Sequence, residues 1–534
     1  MIRRKCLKLA TVFAFGLFGW AGAAAAQTPE AGGTLIMVVQ PEPPTLASYL
    51  STSGPIGQVT TKVYDGLLEY DFDLKPIPSL AESWDESSDG KTITFHLRKD
   101  VKFHDGSDFT SADVQYTFMD VLKKVHPRAS SSFKELTAVE TPDPYTAVFK
   151  LANPAPYMIR ALSGYESPIV SKELFEGTDP RQNPTANAPI GTGPFKFVEW
   201  KKGQYVRLDK NENYWKEGLP YLDRVVARFI PDAATRAAAL ENQEVQYAAF
   251  NAVPNVDAKR LNSIDGITVT TEGYSMINPM MLLEMNTKSP PIDNVKVRQA
   301  ISYAIDRQFI IDNIFYGYGK PATGSISSNF ASVGLYSDDV HDYAVADRIE
   351  KANALLDEAG FPRGENGVRF EIVHDIIAYG EDWQRLGEYI KQALGDIGIS
   401  VTLRYEDVPT WLKRVFTDYD FQMNSNFFYQ LADPVLGMHR QYLTDQIKQG
   451  TVFVNSSRYS NSEVDDLAHL GAEEIDPKKR SEIYTKIQQI LAEDLPVIPL
   501  VEMEFTTVYL DKVKNTIVSP LGAYSSFDQA WIEQ

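Results

Sequence analysis

The sequence predicts an α/β protein built as two lobes joined by a hinge, and three observations carry that reading. Residues 368–374, 382–394 and 400–405 read as strand, amphipathic helix and strand, a βαβ unit that requires parallel strands and a right-handed crossover. The front half instead mixes alternating strands and a hairpin with helices, so the two halves differ in character. Near the end, Leu495-Pro496-Val497-Ile498-Pro499-Leu500 runs into the extended stretch 506–510, which suits a chain returning to the first lobe and forming a hinge. Open parallel sheets take ligands at the carboxyl ends of their strands, and two lobes meeting there form a cleft.

In chain order, residues 33–39 read as the first strand. Residues 92–98 alternate, with Ile93, Phe95 and Leu97 on one face and Thr94, His96 and Arg98 on the other. Residues 195–200 and 205–208 flank Lys201-Lys202-Gly203-Gln204 as a hairpin, and 224–230 leads into an alanine-rich helix beginning near Pro231-Asp232. In the second half, Val297, Ala300, Ile301, Ala304, Ile305, Phe309 and Ile310 recur at helical spacing and predict one helix over 295–315. Residues 347–359 read as another, stopped by Gly360 and then Pro362. Proline-rich points at 40–44 and 289–291 are candidate crossings between lobes.

Arg3, Arg4, Lys5 and Lys8 precede an apolar run at 9–20 that is too short to span a bilayer, and Ala24-Ala25-Ala26 offers a cleavage site before Gln27. This predicts a cleaved export signal over 1–26 and a periplasmic product, by the Sec route in preference to the twin-arginine route that Arg3-Arg4 also resembles. Cys6, the single cysteine, lies ahead of the apolar run, so the mature chain has no lipoprotein anchor, disulfide or cysteine-ligated metal. The formal charge is −19, and it becomes more negative once four basic residues leave with the signal, which argues against nucleic acid or an anionic membrane as partner. No second apolar run is long enough to cross a membrane, and no repeat recurs along the chain.

Several short segments, in order, resemble the family 5 extracellular solute-binding proteins of ABC importers, which include oligopeptide, dipeptide and nickel binders. They are Val63-Tyr64-Asp65-Gly66-Leu67-Leu68, Leu80-Ala81-Glu82-Ser83-Trp84, Phe95-His96-Leu97-Arg98 and Val101-Lys102-Phe103-His104-Asp105-Gly106. Further on come Ile190-Gly191-Thr192-Gly193-Pro194-Phe195, Asn213-Tyr214-Trp215, Val297-Arg298-Gln299-Ala300-Ile301, Ala304-Ile305-Asp306-Arg307 and Leu355-Leu356-Asp357-Glu358-Ala359-Gly360. Most read as scaffold, with Gly191 and Gly193 expected in turns closed to a residue bearing a Cβ. The resemblance implies the large type of periplasmic-binding-protein fold. Its large lobe would be 27–285 plus 505–534, with an inserted subdomain at about 70–190, its small lobe 286–504, and its hinge near Asn286 and Phe505. It also implies a monomer that closes on a small solute and docks on inner-membrane permease subunits, with no cofactor and no covalent chemistry.

Peptide binders of this family place an Asp against the peptide's amino terminus, within an aromatic-rich segment that ends in an acidic residue and Pro, with a Trp some way upstream. Here that segment is residues 424–434, and the resemblance implies a site of Trp411, Asn426, Phe427, Tyr429, Gln430 and Asp433. Counting back from Pro434 puts Gln430 at the Asp position, and counting forward from Asp420 puts Tyr429 there. Neither is a carboxylate, and a buried ammonium without a counter-charge is costly. The aromatic group can instead stack on sugar rings or apolar side chains, which suits an oligosaccharide or an opine-type conjugate as the alternative to a peptide. Strand alternation sends only one of Phe428 and Tyr429 into the cleft, and Asp433, Glu502 or Glu504 can replace the missing acid.

An enzyme is the rival from another class. The seven histidines are scattered, with no zinc-helix pair, no Gly-x-Ser-x-Gly elbow and no phosphate-binding glycine loop. His104-Asp105-Gly106 reads as turn chemistry. A further alternative keeps the fold but delivers the closed form to a sensory receptor rather than to an importer.

Overall fold

The computed structural model describes residues 28–533, so the expected export signal lies outside the described residues. Two sheets organise it. The first runs in the order Ile267–Thr270, Thr507–Leu510, Tyr247–Ala248, Thr34–Val38, Arg224–Arg228, Tyr205–Lys210, Phe195–Lys201. Thr34–Val38 lies inside this sheet, parallel to Arg224–Arg228 on one side and to Tyr247–Ala248 on the other. The expected hairpin closes its edge. A separate antiparallel sheet of Ala81–Glu86, Thr92–Leu97, Thr146–Leu151 and Leu136–Asp143 is inserted between the first strand, Thr34–Val38, and the hairpin. The alternation at 92–98 buries Ile93, Phe95 and Leu97 there, with Phe95 edge-on to Phe149 at 5.0 Å.

The second sheet runs Gly319–Pro321, Val497–Met503, Pro279–Met285, Met423–Tyr429, Phe370–Ile377, Ile399–Glu406. Its last two strands are parallel and are joined by helix Glu381–Asp396, the βαβ unit the sequence predicts. The helix buries Trp383, Leu386, Ile390 and Leu394 against the sheet. Gly387 lets it lie close, since a Cβ there would sit 2.0 Å from Ile376 Cδ1.

Two expectations are corrected. Pro279–Met285 pairs with Met423–Tyr429 on one side and Val497–Met503 on the other, so the chain has already crossed to the second sheet before the expected boundary at 285/286. The strand is buried at every position, as a central strand must be. The single helix expected over 295–315 is two, Val295–Ala304 and Arg307–Asn313. Ile305 is extended between them, and Asp306 caps the second by accepting from Phe309 N at 3.0 Å. The apolar face continues across the break, so periodicity alone does not reveal it.

Two apolar cores lie around the two sheets. Their membership follows the sheets with one exception. Leu431, Ala432 and Leu436, which follow strand Met423–Tyr429 of the second sheet, are buried in the first core. The chain therefore passes between the sheets at 271–278 and at 504–506, and reaches across a third time at 431–436.

The segment motifs act as scaffold. A Cβ on Gly191 would lie 2.2 Å from the Val63 carbonyl oxygen, and one on Gly193 2.7 Å from Val63 C, so close backbone approach rather than turn geometry requires glycine there. His104 donates from Nε2 to the Gly193 carbonyl at 2.9 Å and accepts from Gly191 N at 3.4 Å, and burial lowers its pKa to about 4. Asp65 accepts from Thr192 Oγ1 and Trp215 Nε1, each at 2.9 Å.

Candidate functional site

A chain of aromatic rings crosses from one sheet to the other. On the second-sheet side, Phe427 packs 5.8 Å from Tyr379, 6.1 Å from Trp383 and 5.6 Å from Tyr429. Phe427 and Tyr429 are two residues apart on one strand and share a face, while Phe428 points the other way and is buried against Phe453. Phe505, in the returning crossing, receives both, at 6.2 Å from Phe427 and 6.4 Å from Tyr429. From Phe505 the contacts continue to Phe250 at 5.9 Å, from Phe250 to Tyr524 at 4.6 Å, and from Tyr524 to Tyr165, stacked at 4.1 Å and 9°.

Charge gathers at the first-sheet end of this chain. Arg128 lies 5.5 Å from the Tyr165 ring and pairs with Glu166, both side chains being largely buried. Burial opposes charge on Arg128, but Glu166, Tyr165 and Tyr524 together outweigh it and keep the guanidinium protonated. Arg440, from the second half, feels Arg128, Glu166 and Glu284; burial, then Arg128, lowers its pKa to about 10. Burial likewise pushes the Tyr429 hydroxyl up, and Tyr165 and Arg128 lie near enough to act on it. The hydroxyl of Tyr429 has no hydrogen-bond partner among the described residues. Tyr429 and Arg440 are both half-buried.

A polar band lies on the opposite face of strand Met423–Tyr429, where Asn424 sits opposite Glu284. Glu284 Oε1 accepts from Ser456 Oγ at 2.6 Å, while its Oε2 and the Nδ2 atoms of Asn424 and Asn426 have no hydrogen-bond partner among the described residues. Burial pushes the Glu284 carboxyl up to about 7.

The residues expected from sequence separate into two groups. Phe427 and Tyr429 belong to the aromatic chain between the sheets. Trp411 does not; it is fully buried in the second core, edge-on to Phe416 at 5.8 Å. Asn426 is fully buried and accepts from Phe427 N at 2.8 Å. Gln430 is also buried, with Nε2 donating to the Ser325 carbonyl at 2.7 Å and Oε1 accepting from Ser327 N at 2.9 Å. Both ends of its amide are thus occupied by the loop before Phe330.

Asp433 is taken up as well, accepting both Nη groups of Arg480 at 2.8 Å and Nη1 of Arg160 at 3.0 Å. Glu502 holds Ser327 and Ser328, and Glu504 pairs with Lys320 at 3.2 Å. These two acids line a cavity of about 520 Å³ with Tyr274, Asn278 and Lys320, beside the crossings. None of the three acids offered as replacements lacks a partner. Sequence reasoning missed Arg128, Tyr165, Glu166, Phe250 and Tyr524 and named Phe505 only as hinge; the six come from five separate places in the chain and share no spacing. Arg440 lies ten residues after Gln430, in the short helix His439–Tyr442.

Residues 75–449 match the profile of the bacterial extracellular solute-binding proteins, family 5 Middle. The chain belongs to that family. It is 29% identical over 519 residues to the glutathione-binding protein GsiB of Salmonella paratyphi A, covering 96% of this chain and 97% of that one. The solved structure of AgaA from A. tumefacien R10 in complex with agropinic acid is 29% identical, with a TM-score of 0.75 over 94% of this chain and 99% of that one. That of the ABC transporter-associated periplasmic binding protein DppA from Helicobacter pylori, in complex with the peptide STSA, is 26% identical, with a TM-score of 0.78 over 95% and 99%. This family member is therefore the solute-binding component of an ABC importer, an extracellular or periplasmic protein with a two-lobed fold.

Proposed function

We propose that this protein captures a peptide-like or other small oligomeric solute between its lobes and presents the closed form to the permease. The observation that carries this reading is the aromatic chain from Trp383 to Tyr165, which is contributed by both lobes and is complete only when they are together. A solute touching both sides binds the closed form better than the open one and shifts the population toward it. The lobes are taken as about 28–270 plus 507–533 and about 279–503, with the crossings at 271–278 and 504–506 as hinge. The working form is a periplasmic monomer exported by Sec and performing no catalysis, while ATP is used by its membrane partners.

Gln430 favours a second reading. In a peptide carrier the amino terminus needs a carboxylate, yet this position holds an amide whose two ends are already hydrogen-bonded. Phe427 and Tyr429 offer ring faces suited to a sugar or an opine-type conjugate. Purification from the periplasm, denaturation and mass spectrometry of the released compound tests both. Short peptides support the first reading and a sugar conjugate the second; a protein that carries nothing and is not stabilised by any free-acid peptide or sugar acid removes the capture reading itself.

A further inference from the structure

Lys62 is wholly inaccessible, and its amine is spent on one short stretch of chain. Nζ donates to the Ala523 carbonyl at 2.5 Å, to the Ser525 carbonyl at 2.9 Å and to Thr61 Oγ1 at 3.2 Å, while the Phe527 ring covers it from 3.9 Å. Burial pushes its pKa well below the ordinary lysine value, and no charged neighbour acts to restore it. A lysine is almost never fully buried without a counter-charge, and an apolar side chain of the same length would fill the space without that penalty. What the amine can do and a methionine cannot is bind two carbonyls at once.

Those two carbonyls flank Tyr524. That residue ends the turn Gly522–Tyr524, stacked on Tyr165 and 4.6 Å from Phe250, at the first-sheet end of the aromatic chain. Tyr429, from the second half, lies near enough to act on its hydroxyl. Helix Gly54–Thr60 runs directly against both rings: a Cβ on Gly57 would lie 2.8 Å from Tyr165 Cε2 and 3.1 Å from Tyr524 Cε1, and one on Gly54 2.8 Å from the Tyr524 hydroxyl oxygen. Lys62 follows two residues after the end of this helix, and its backbone carbonyl accepts from Phe195 N at 3.0 Å, which ties it to the edge of the first sheet. Thr61 Oγ1, which donates to Gly57 O at 2.8 Å, lies 3.4 Å from the same Ser525 carbonyl. The helix is thus the floor under the two rings, and Lys62 joins that floor to the C-terminal segment that carries Tyr524.

We propose that Lys62 is a positioning residue for solute capture: by holding the carbonyls on either side of Tyr524 it fixes that ring against Tyr165, so that the first-sheet wall of the site is formed before a solute arrives. This rests on the capture reading above and adds to it the residue that pre-organises the wall. A wall that had to be ordered during binding would subtract the cost of that ordering from the affinity.

The test uses the full exported protein. Near-ultraviolet circular dichroism reads the stacked tyrosines as the difference between wild type and Tyr524→Leu. Lys62→Met is expected to lose most of that difference while its melting temperature stays near that of wild type, and Lys62→Gln, which keeps an amide donor for one carbonyl, is expected to retain part of it. The probe for binding is the compound released from the denatured wild type, identified by mass spectrometry and titrated calorimetrically into the emptied proteins. Lys62→Met is expected to bind it about tenfold more weakly, a coupling of the size found between residues in contact, and to cause no further loss when added to Tyr524→Leu. An unchanged tyrosine spectrum in Lys62→Met, or the same loss of affinity in both backgrounds, overturns the proposal and leaves the capture reading intact. Full affinity in Tyr524→Leu overturns it by taking that ring out of the site, and removes the first-sheet end of the aromatic chain from the capture reading as well. If Lys62→Met fails to fold, the spectrum and affinity of Lys62→Gln decide in its place.

Discussion

Arg160 Nη1 lies 3.0 Å from Asp433 Oδ2, a contact between residues 273 positions apart that ties the first half of the chain to the second. Arg480 grips the same carboxylate from the other side with two bonds of 2.8 Å. Asp433 is wholly inaccessible, so the cluster holds two guanidiniums around one buried anion.

Replacing that anion leaves both cations without it. Asp433→Asn is expected to cost about 3–5 kcal/mol of stability, measured by urea unfolding at neutral pH. Burial acts to raise the pKa of Asp433, but Arg480 and Arg160 outweigh it and hold it below the ordinary carboxylate range. The stability it contributes is therefore present above the unfolded-state pKa and lost as pH falls through the folded one. Asp433→Asn should remove this part of the acid limb, and an unchanged acid limb would show that the cluster is not what acid attacks.

Glu284 works in the opposite sense. Its folded pKa of about 7 lies above the unfolded value, so the native state holds its proton more tightly and this group makes stability fall as pH rises from about 4.5 to 7. Glu284→Gln, a neutral isostere, should abolish that slope. At pH 8 it is expected to be more stable than wild type by up to about 3 kcal/mol, and at pH 4.5 nearly equal to it. His104, His126, His374 and His439 are kept neutral by burial and bend the same pH range the other way, so the wild-type minus variant difference is the quantity to plot.

Trp411 and Tyr429 should separate in function. Trp411→Ala empties a site in the second core and is expected to cost about 3–5 kcal/mol of stability. Tyr429→Ala removes a half-buried ring between the lobes and is expected to weaken solute binding more than tenfold while changing the melting temperature little. Thermal melts and titration of each variant check this, and a binding defect in a well-folded Trp411→Ala would restore it to the site.

Gly191→Ala brings a methyl group to 2.2 Å from a backbone oxygen that cannot swing away. Soluble yield should fall sharply, whereas Gly203→Ala, where a Cβ meets nothing within 4 Å but φ is +73°, should lose only about 1 kcal/mol.

The sequence made the architecture legible where period and punctuation act over short distances. The βαβ unit was readable because Trp383, Leu386, Ile390 and Leu394 keep a helical stripe between two β-branched runs, and Gly360 marks the end of the helix before it. Asp306, a cap inside a continuing stripe, was the sign of the broken helix, and the stripe outweighed it. The site was legible only in its strand, where alternation paired Phe427 with Tyr429. A tryptophan in a core and one in a cleft leave the same local pattern, as do an amide that meets a solute and one that meets Ser325 and Ser327. Arg128, Tyr165, Tyr524 and Arg440 meet through tertiary folding alone.

Leu431, Ala432 and Leu436 have a consequence for how this protein can be divided. They belong by connection to the second half and by packing to the first, like a tab seated in a socket. Cut at the crossings, one fragment would carry an apolar projection with nothing to fit, and the other an open hollow where Arg160 faces no acid. Neither half is a self-sufficient unit, so fragments, fusions and swaps between relatives should keep the tab and its socket from the same parent.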